Sequence, residues 1–197
     1  PSATAMGVAS WRTHKKFFEA ANEFDGVKLL ATYTYTGEQI YTIDKPINSV
    51  ADLKGMKLRT GHGLAKDIFA ELGVAAVPSL ATEVFPMVSK GVVDGVTGSA
   101  AFAAVLKVDQ FLKYGVRYPG AFNSLVWTPI LNQQKWDSIS AADQAIMEKY
   151  IGEGLSRYVS GLWDDANVKA LAAMKANGVQ IHDASPEFVA EVKQLTA

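Results

Sequence analysis

The spacing of apolar side chains predicts helices and strands that follow one another along the chain. Residues 11–24 carry apolar side chains at helical spacing, which predicts an amphipathic helix packed by its aromatic side. That side consists of Phe17, Phe18, Ala21 and Phe24. Residues 27–36 and 39–43 are rich in β-branched and aromatic side chains, so each predicts a strand, with a turn at Gly37 between them.

A strand, a helix and a second strand are expected after Pro46. Residues 56–60 predict a short strand, residues 64–72 a helix with one apolar face, and residues 75–78 the second strand. Two strands joined in this way are expected to lie parallel in one sheet, with a right-handed crossover. Ser49 is expected to cap a short helical turn just before the first strand.

The alternation of helices and strands continues to the end of the chain. Further helices are expected over residues 83–90, 140–177 and 185–195, and further strands over residues 92–96, 114–118, 125–131 and 179–182. In the long region 140–177, a glycine costs about 1 kcal/mol relative to alanine. Gly152, Gly154 and Gly161 therefore favour a bend or close packing there. The whole pattern predicts an α/β fold.

Composition narrows the class of protein. With 197 residues, 49% of them hydrophobic, the chain can bury one sizeable core. Nineteen basic and twenty acidic residues give a net charge of -1, so we expect no nucleic-acid partner. Cysteine is absent, which excludes disulfides and thiolate chemistry. No apolar run reaches the roughly 20 residues that span a bilayer. A chain that starts at Pro1 without a signal-peptide pattern is interpreted as processed or truncated.

The sequence lacks the residue patterns typical of catalytic and metal sites. His14, His62 and His182 are far apart and have no metal-ligand spacing. The glycine patterns of nucleotide-binding loops and of serine hydrolases are absent, and Gly61 and Gly63 predict only a tight turn between strand and helix. We therefore expect no metal, no cofactor and no catalysis, and an α/β enzyme is the least supported hypothesis.

Arg59 is the candidate binding residue. It ends a predicted strand beside a glycine-rich turn and the start of a helix, where open α/β sheets usually bind ligands. A guanidinium group can hold a carboxylate through two parallel N–H···O bonds, and the helix N-terminus adds a favourable field. A surface salt bridge is the ordinary alternative for any arginine.

Several segments resemble one protein family in their order along the chain. The segment PINSVADLKGMKLR, which ends at Arg59, resembles the DLKG-K-R signature of the solute-binding proteins of tripartite ATP-independent periplasmic (TRAP) transporters, the DctP family. Later segments resemble further elements of that family. These are Leu72-Gly73 with Val77-Pro78, Glu83-Val84-Phe85, the GVVDG segment ending at Gly95, the WDSISAADQ segment starting at Trp136, and the GVQI segment starting at Gly178.

The resemblance implies a fold and a function. The implied fold is a type II-like periplasmic-binding-protein fold of two lobes, with mainly parallel sheets and a long bent helix from Ser140 onward. Such a protein is non-catalytic, binds a small organic acid in the periplasm and delivers it to the membrane subunits of a TRAP transporter. A ligand-sensing relative of the same fold that reports to a receptor is the alternative.

The same resemblance implies a division of the chain, with an incomplete first lobe. Residues 1–36 are expected to be a remnant of the first lobe and crossover. Residues 37–132 are expected to form the second lobe with part of the crossover, and residues 133–197 the long helix with the carboxyl-terminal packing elements.

Site residues are also carried over from the resemblance. Arg59 takes the role of clamping the ligand carboxylate. Gln39 stands where sialic-acid-type members carry a second arginine, and Gly98 belongs to a segment where many members have asparagine. A neutral amide and a glycine at these positions suit a monocarboxylate better than a ligand with a second anionic group.

An aromatic wall is the last element that the resemblance implies. Phe122, Asn123 and Trp127 lie in a region that lines the cleft in relatives. Their side chains are expected to pack on an apolar or ring-bearing part of the ligand. For Trp127, a place in the protein core is an equally weighted alternative.

Overall fold

The computed structural model describes residues 2–196, in which helices and strands alternate. The α-helices are α1 (Ala3–Thr13), α2 (Leu64–Glu71), α3 (Ala81–Ser89), α4 (Ala100–Val105), α5 (Gln133–Asp137), α6 (Ala141–Met147), α7 (Glu153–Ala176) and α8 (Pro186–Leu195). The strands are β1 (Val27–Leu29), β2 (Tyr33–Thr34), β3 (Gln39–Thr42), β4 (Lys57–Thr60), β5 (Ala75–Pro78), β6 (Gly95–Gly98), β7 (Tyr114–Arg117), β8 (Val126–Trp127), β9 (Ile130–Asn132) and β10 (Gln180–Asp183).

The described chain divides into two compact units. The first unit consists of residues 2–36 and Ser124–Asp165, and the second of Gly37–Asn123 and residues 166–196. The sequence predicted three consecutive segments, 1–36, 37–132 and 133–197. Of their boundaries, only the one after residue 36 is also a boundary between the two units. Each unit combines two separate stretches of chain, because the packing joins residues that are far apart in the sequence.

In the first unit, α1 packs closely against α7. A Cβ atom on Gly7 would lie only 2.2 Å from Ser160 Oγ. The two helices can therefore pack this closely because residue 7 has no side chain. The Asp164 carboxylate accepts hydrogen bonds from the backbone N–H groups of Ala3 and Thr4 at 2.8 and 2.9 Å. Two antiparallel strand pairs, β1 with β9 and β2 with β8, complete this unit.

The amino-terminal helix differs from the expected one. It begins at Ala3, and after Thr13 it passes into a π-helical segment, His14–Phe18. The wider turn changes the direction of the following side chains, so they leave the buried face of α1. Phe17 and Phe18 are 66% and 48% exposed. The expectation that the aromatic side packs inward is therefore wrong for these two residues.

The second unit is built on a six-stranded sheet in the order β10-β7-β3-β6-β4-β5. Strands β4, β5 and β6 run parallel to one another, as do β7 and β10. Strand β3 runs antiparallel to both of its neighbours, β6 and β7. The expected unit β4-α2-β5 with parallel strands is confirmed, as is the mixed α/β fold with a mainly parallel sheet.

Both faces of this sheet are covered by apolar side chains. Residues in register across a sheet project to the same face, and successive residues project to opposite faces. Tyr41, Val96 and Arg59 are in register and share one face. Helices α3, α4 and α7 pack on that face, contributing Val84, Val88, Ala100, Ala103, Ala170 and Met174. Helices α2 and α8 cover the opposite face with Phe69, Phe188 and Val192.

Strand β6 begins later than the sequence indicates. Residues 92–96 were expected to be extended, but the strand starts at Gly95 because Asp94 belongs to the preceding turn. The Asp94 carboxylate accepts a hydrogen bond from the Lys57 backbone N–H at 2.8 Å, and the Asp94 N–H donates to the Lys57 carbonyl at 2.7 Å. This pairing fixes the position from which β6 enters the sheet.

The long helical region is divided into two helices. Gly152, with φ of 80°, separates α6 from α7. Ser140 caps α6, since its Oγ accepts from the Asp143 N–H at 3.2 Å. Gly154 and Gly161 lie inside α7, which has 24 residues. Neither α7 nor any other helix of residues 2–196 combines the length and apolar character that crossing a bilayer requires.

Candidate functional site

Polar side chains are buried at one end of the sheet in the second unit. Because β4, β5 and β6 are parallel, their carboxyl ends lie at the same end of the sheet, which is the usual place for ligands in open α/β sheets. The buried polar side chains at this end of the sheet are those of Arg59, Thr60, Ser79, Thr97 and Ser99. Burying polar groups is costly unless they find partners. This cluster is therefore the candidate site.

Arg59 is the charged member of the cluster and is only 6% exposed. Its Nε donates a hydrogen bond to Ser79 Oγ at 3.1 Å, and its Nη2 donates to the Ser79 carbonyl. Its Cζ lies 5.4 Å from the centroid of the Phe102 ring. The guanidinium group is thus held by hydrogen bonds to Ser79 and lies over the ring of Phe102. A surface salt bridge, the ordinary alternative, does not describe this buried side chain.

The position of Ser79 follows from the local sequence. Strand β5 ends at Pro78, and the Ser79 N–H donates to the carbonyl of Thr60 at 3.3 Å, which extends the pairing of β5 with β4 by one residue. Helix α3 begins two residues later, where the Glu83 carboxylate accepts the Leu80 N–H at 2.9 Å. Ser79 therefore lies in a short, fixed connection between a strand and a helix.

Helix α4, which the sequence analysis missed, supplies Phe102. Strand β6 ends at Gly98, and Ser99 Oγ accepts a hydrogen bond from the Phe102 N–H at 3.1 Å. Asn167 Oδ1 accepts from the Ala101 N–H at 3.3 Å. A serine followed by small apolar residues is the signal that predicts such a capped helix.

Glu38 is a further residue that the sequence analysis missed. Its side chain is 3% exposed, and its carboxylate accepts a hydrogen bond from Thr97 Oγ1 at 3.3 Å. Its backbone N–H donates to the carbonyl of Asn123 at 2.7 Å. Since Val96 is in register with Arg59, the next residue, Thr97, projects to the opposite face of the sheet. A buried acidic residue thus accompanies the arginine at the same end of the sheet.

Gln39 and Gly98, two of the expected site residues, lie opposite each other in β3 and β6. The Gln39 amide accepts from the Tyr118 N–H at 2.6 Å and donates to the Tyr118 carbonyl at 3.3 Å. A Cβ atom on Gly98 would lie 2.9 Å from Cδ1 of Phe102. Each residue therefore has a structural role, and contact with a ligand stays a prediction for both.

Phe122 and Asn123 lie where the chain leaves the second unit. The Phe122 ring stacks on Tyr118 with 4.6 Å between centroids and contacts Phe69 at 5.3 Å, so it belongs to the core. The Asn123 carbonyl accepts the hydrogen bond from Glu38, and its buried Nδ2 has no hydrogen-bond partner among the described residues. A role of either side chain in ligand binding stays a prediction.

Trp127 belongs to the first unit, whereas the other five expected site residues belong to the second. It lies in β8 and is in register with Tyr33 of β2. Its side chain is 50% exposed, so the alternative that it belongs to the core is wrong. Its part in an aromatic wall stays a prediction.

Two of the three histidines, His14 and His182, make contacts of a structural kind. The His14 ring contacts Trp11 and Phe24, with 6.1 and 5.4 Å between centroids. The Nε2 atom of His182 lies 3.0 Å from the carbonyl oxygen of Ile47. Within residues 2–196, no group of three or more histidine, aspartate or glutamate side chains is arranged to hold a metal ion.

Comparison with known proteins agrees with this architecture. The Outer membrane transporter protein TsaT of Comamonas testosteroni is 27% identical over 195 residues, which cover 98% of this chain and 57% of TsaT. A TRAP periplasmic solute-binding protein of Bordetella bronchiseptica, solved with (R)- and (S)-mandelate, is 27% identical with a TM-score of 0.92. The match covers 99% of this chain and 62% of that protein.

A second solved structure is equally similar in fold. It is a TRAP solute-binding protein from an unidentified marine microbe, specific for aromatic acid ligands and bound to metahydroxyphenylacetate. It is 26% identical with a TM-score of 0.92, and the match covers 99% of this chain and 61% of that protein. This chain therefore spans less than two thirds of the length of each of these relatives.

The family is established by a model that covers nearly the whole chain. The model of the bacterial extracellular solute-binding proteins, family 7, matches residues 7–197. The shared fold of the solved TRAP proteins agrees with this match. The chain thus belongs to family 7 of the bacterial extracellular solute-binding proteins, the DctP family.

Proposed function

We propose that the protein is the solute-binding component of a TRAP transporter. In this proposal it binds a small organic acid in the periplasm without chemical conversion and delivers it to the membrane subunits. The observation that carries the proposal is the buried guanidinium group of Arg59, which is oriented by Ser79 and Phe102 at the carboxyl end of β4. Arg59 is the group that binds the ligand carboxylate.

The chemistry of the guanidinium group supports this role. Its planar fork of N–H donors matches the two oxygens of a carboxylate, and the bonds are stronger than those between neutral groups. Electrostatic attraction is also stronger in a buried environment than in water. Because Ser79 fixes the orientation of Arg59 beforehand, less side-chain entropy is lost when a ligand binds.

We propose a monocarboxylate as the ligand. Mandelate and metahydroxyphenylacetate, which bind to the two solved relatives, each carry one carboxylate. In this chain the Gln39 amide is neutral and bonded to the backbone of Tyr118.

The decisive experiment is calorimetry on the complete protein with mandelate and metahydroxyphenylacetate. Arg59→Lys keeps the charge but loses the fork, and we expect binding to weaken at least about tenfold. Arg117→Lys is the matched control, because Arg117 lies in the same sheet and pairs with Asp183 at the surface. An unchanged dissociation constant for Arg59→Lys would remove Arg59 from the site.

A thermal-shift screen tests the class of ligand. A ligand that binds the folded state raises the unfolding temperature, and the rise grows with the logarithm of the ratio of ligand concentration to dissociation constant. We expect monocarboxylates to stabilise the complete protein more than dicarboxylates do. Stabilisation chiefly by dicarboxylates or sialic acid would contradict the assignment of a monocarboxylate.

A further inference from the structure

The guanidinium group of Arg59 lies over the ring of Phe102. The distance from Cζ to the ring centroid is 5.4 Å, within the range in which a cation is attracted to an aromatic face. The hydrogen bonds to Ser79 hold Nε and Nη2. The guanidinium group therefore has two restraints of different kinds, the hydrogen bonds to Ser79 and the contact with the aromatic ring of Phe102.

The ring occupies this position because residue 98 is glycine. A Cβ atom on Gly98 would lie 2.9 Å from Cδ1, 3.6 Å from Cγ and 3.7 Å from Cβ of Phe102. A separation of 2.9 Å is shorter than normal van der Waals contact between carbon atoms. Any side chain at residue 98 would therefore push the ring from its place beside Arg59.

The backbone that carries Phe102 is itself fixed. The Phe102 N–H is bound by Ser99 Oγ, and the neighbouring residues Ala101 and Ala103 are buried. The aromatic ring therefore stands on a short capped helix at the end of β6. Its position is set by the fold.

We infer that Phe102 is a positioning residue for Arg59 and that Gly98 provides the space it requires. This inference rests on the proposed function, in which Arg59 binds the ligand carboxylate. The ring holds the guanidinium group in its binding orientation before the ligand arrives. The ligand carboxylate meets the part of the fork that Ser79 does not hold.

A positioning role has a recognisable signature in ligand selectivity. Phe102 acts through Arg59, so its loss should weaken the binding of every monocarboxylate by a similar factor, whether or not the ligand carries an aromatic ring. If the Phe102 ring instead contacted the ligand ring, only the binding of aromatic acids would be weakened. Mandelate and its saturated analogue, hexahydromandelate, differ in the ring only and separate these two cases.

The test is calorimetry of the complete protein carrying Phe102→Leu with both acids. We expect each to bind about 3- to 10-fold more weakly, the range typical of a lost cation–π contact. Phe102→Tyr should restore most of the affinity. Phe85→Leu is the matched control, because Phe85 lies in the same unit and its ring contacts Phe111.

A measurement without ligand keeps the inference testable if binding is difficult to quantify. In nuclear magnetic resonance spectra, the Nε–H group of Arg59 should be more mobile in Phe102→Leu than in the wild type, and unchanged in Phe85→Leu. Gly98→Ala should have the same effect by displacing the ring. In a Phe102→Ala background that effect should disappear, since the added methyl group then has no ring to displace.

The outcomes separate this inference from the proposed function. If Arg59→Lys weakens binding and Phe102→Leu leaves affinity and mobility unchanged, the positioning role is overturned and the proposed function stands. If Phe102→Leu weakens the binding of mandelate but not of hexahydromandelate, the positioning role is also overturned, in favour of direct contact between the Phe102 ring and the ligand. If Arg59→Lys has no effect on binding, the proposed function loses its site and the inference fails with it.

Discussion

Ser79 holds Arg59 at two points, by its hydroxyl oxygen at 3.1 Å from Nε and by its own carbonyl oxygen, which accepts from Nη2. The two residues belong to adjoining parts of the sheet, since Arg59 is in register with Val77, two residues before Ser79. A single small residue at a strand end thus sets the orientation of a buried cation. This relationship can be tested by removing only the hydroxyl group.

Ser79→Ala is expected to lower the free energy of unfolding by about 1 to 3 kcal/mol, because a buried charged donor loses an acceptor. The measurement is urea denaturation of the variant and the wild type. Ser89→Ala provides the control, since Ser89 is exposed and its hydroxyl makes only a long 3.5 Å bond to Pro86. Equal stabilities of the two variants would show that the Ser79 hydroxyl does not support Arg59.

Gly95→Ala is expected to destabilise the second unit by at least about 2 kcal/mol through overpacking. A Cβ atom at this position would lie 2.3 Å from the carbonyl oxygen of Tyr41 and 3.0 Å from Cα of Thr42. Both are backbone atoms of the neighbouring strand β3, which cannot move aside without breaking the sheet. Denaturation curves of the variant and the wild type measure the difference.

The control for that variant is Gly154→Ala. Gly154 lies in α7 and has open space around it, with no atom within 4 Å of an added Cβ. Alanine is favoured over glycine in a helix, so we expect a gain of up to about 1 kcal/mol. A loss at Gly154 as large as the one at Gly95 would refute the steric explanation.

Asp52→Asn tests the pH dependence of a helical turn. Hydrogen bonds from the backbone N–H of Asn48 and from Ser49 lower the pKa of the Asp52 carboxyl below its ordinary value of 3.8. A group with a lowered folded-state pKa stabilises the fold above its unfolded-state pKa, and this contribution is lost as pH falls through the folded-state value.

We therefore expect Asp52→Asn to cost about 0.5 to 1 kcal/mol near pH 7. The cost should shrink as pH falls below about 4, where the carboxyl becomes protonated first in the unfolded wild type and then, at lower pH, in the folded wild type. Urea denaturation at pH 7 and pH 3 measures both values. A difference between variant and wild type that is the same at both pH values would contradict the assigned charge effect.

The close approach of α1 and α7 predicts coupling between two positions. Gly7→Ala would bring a methyl group to 2.2 Å from Ser160 Oγ, and we expect a cost of about 1 to 3 kcal/mol. In a Ser160→Gly background the obstructing atoms are absent, so the same change should cost less. A double-mutant cycle measured by thermal unfolding checks this, and additive effects would contradict it.

The strand-helix-strand unit from β4 to β5 could be predicted from the sequence because its signals are local. Apolar spacing marks α2, and Gly73, with φ of 81°, marks its end. Helix α4 was missed because six residues are too few to show a helical period. The start of α1 was missed since small residues such as Gly7 form its buried face and give a weak apolar pattern.

The candidate site could be predicted only in part. Arg59 was identified by its position at a strand end and by the surrounding motif. Glu38 could not be, because its burial depends on Thr97, which is 59 residues away in the sequence. Phe102 and Ser79 likewise acquire their roles only when the strands align. Contacts of this kind depend on the register of the sheet, which the sequence pattern does not specify.

Strand β10 is an outermost strand of the sheet but is synthesised after the other strands. The sheet is therefore completed late in translation. It pairs with β7, and the nearby residues Ala170 and Met174 fill the core beneath the sheet. A nascent chain that has not yet reached residue 170 therefore presents β7 as an open edge above an unfilled core. Such edges recruit other strands and promote aggregation. Translation products that end before β10 should accordingly be cleared by proteases, because β10 covers this edge of the sheet.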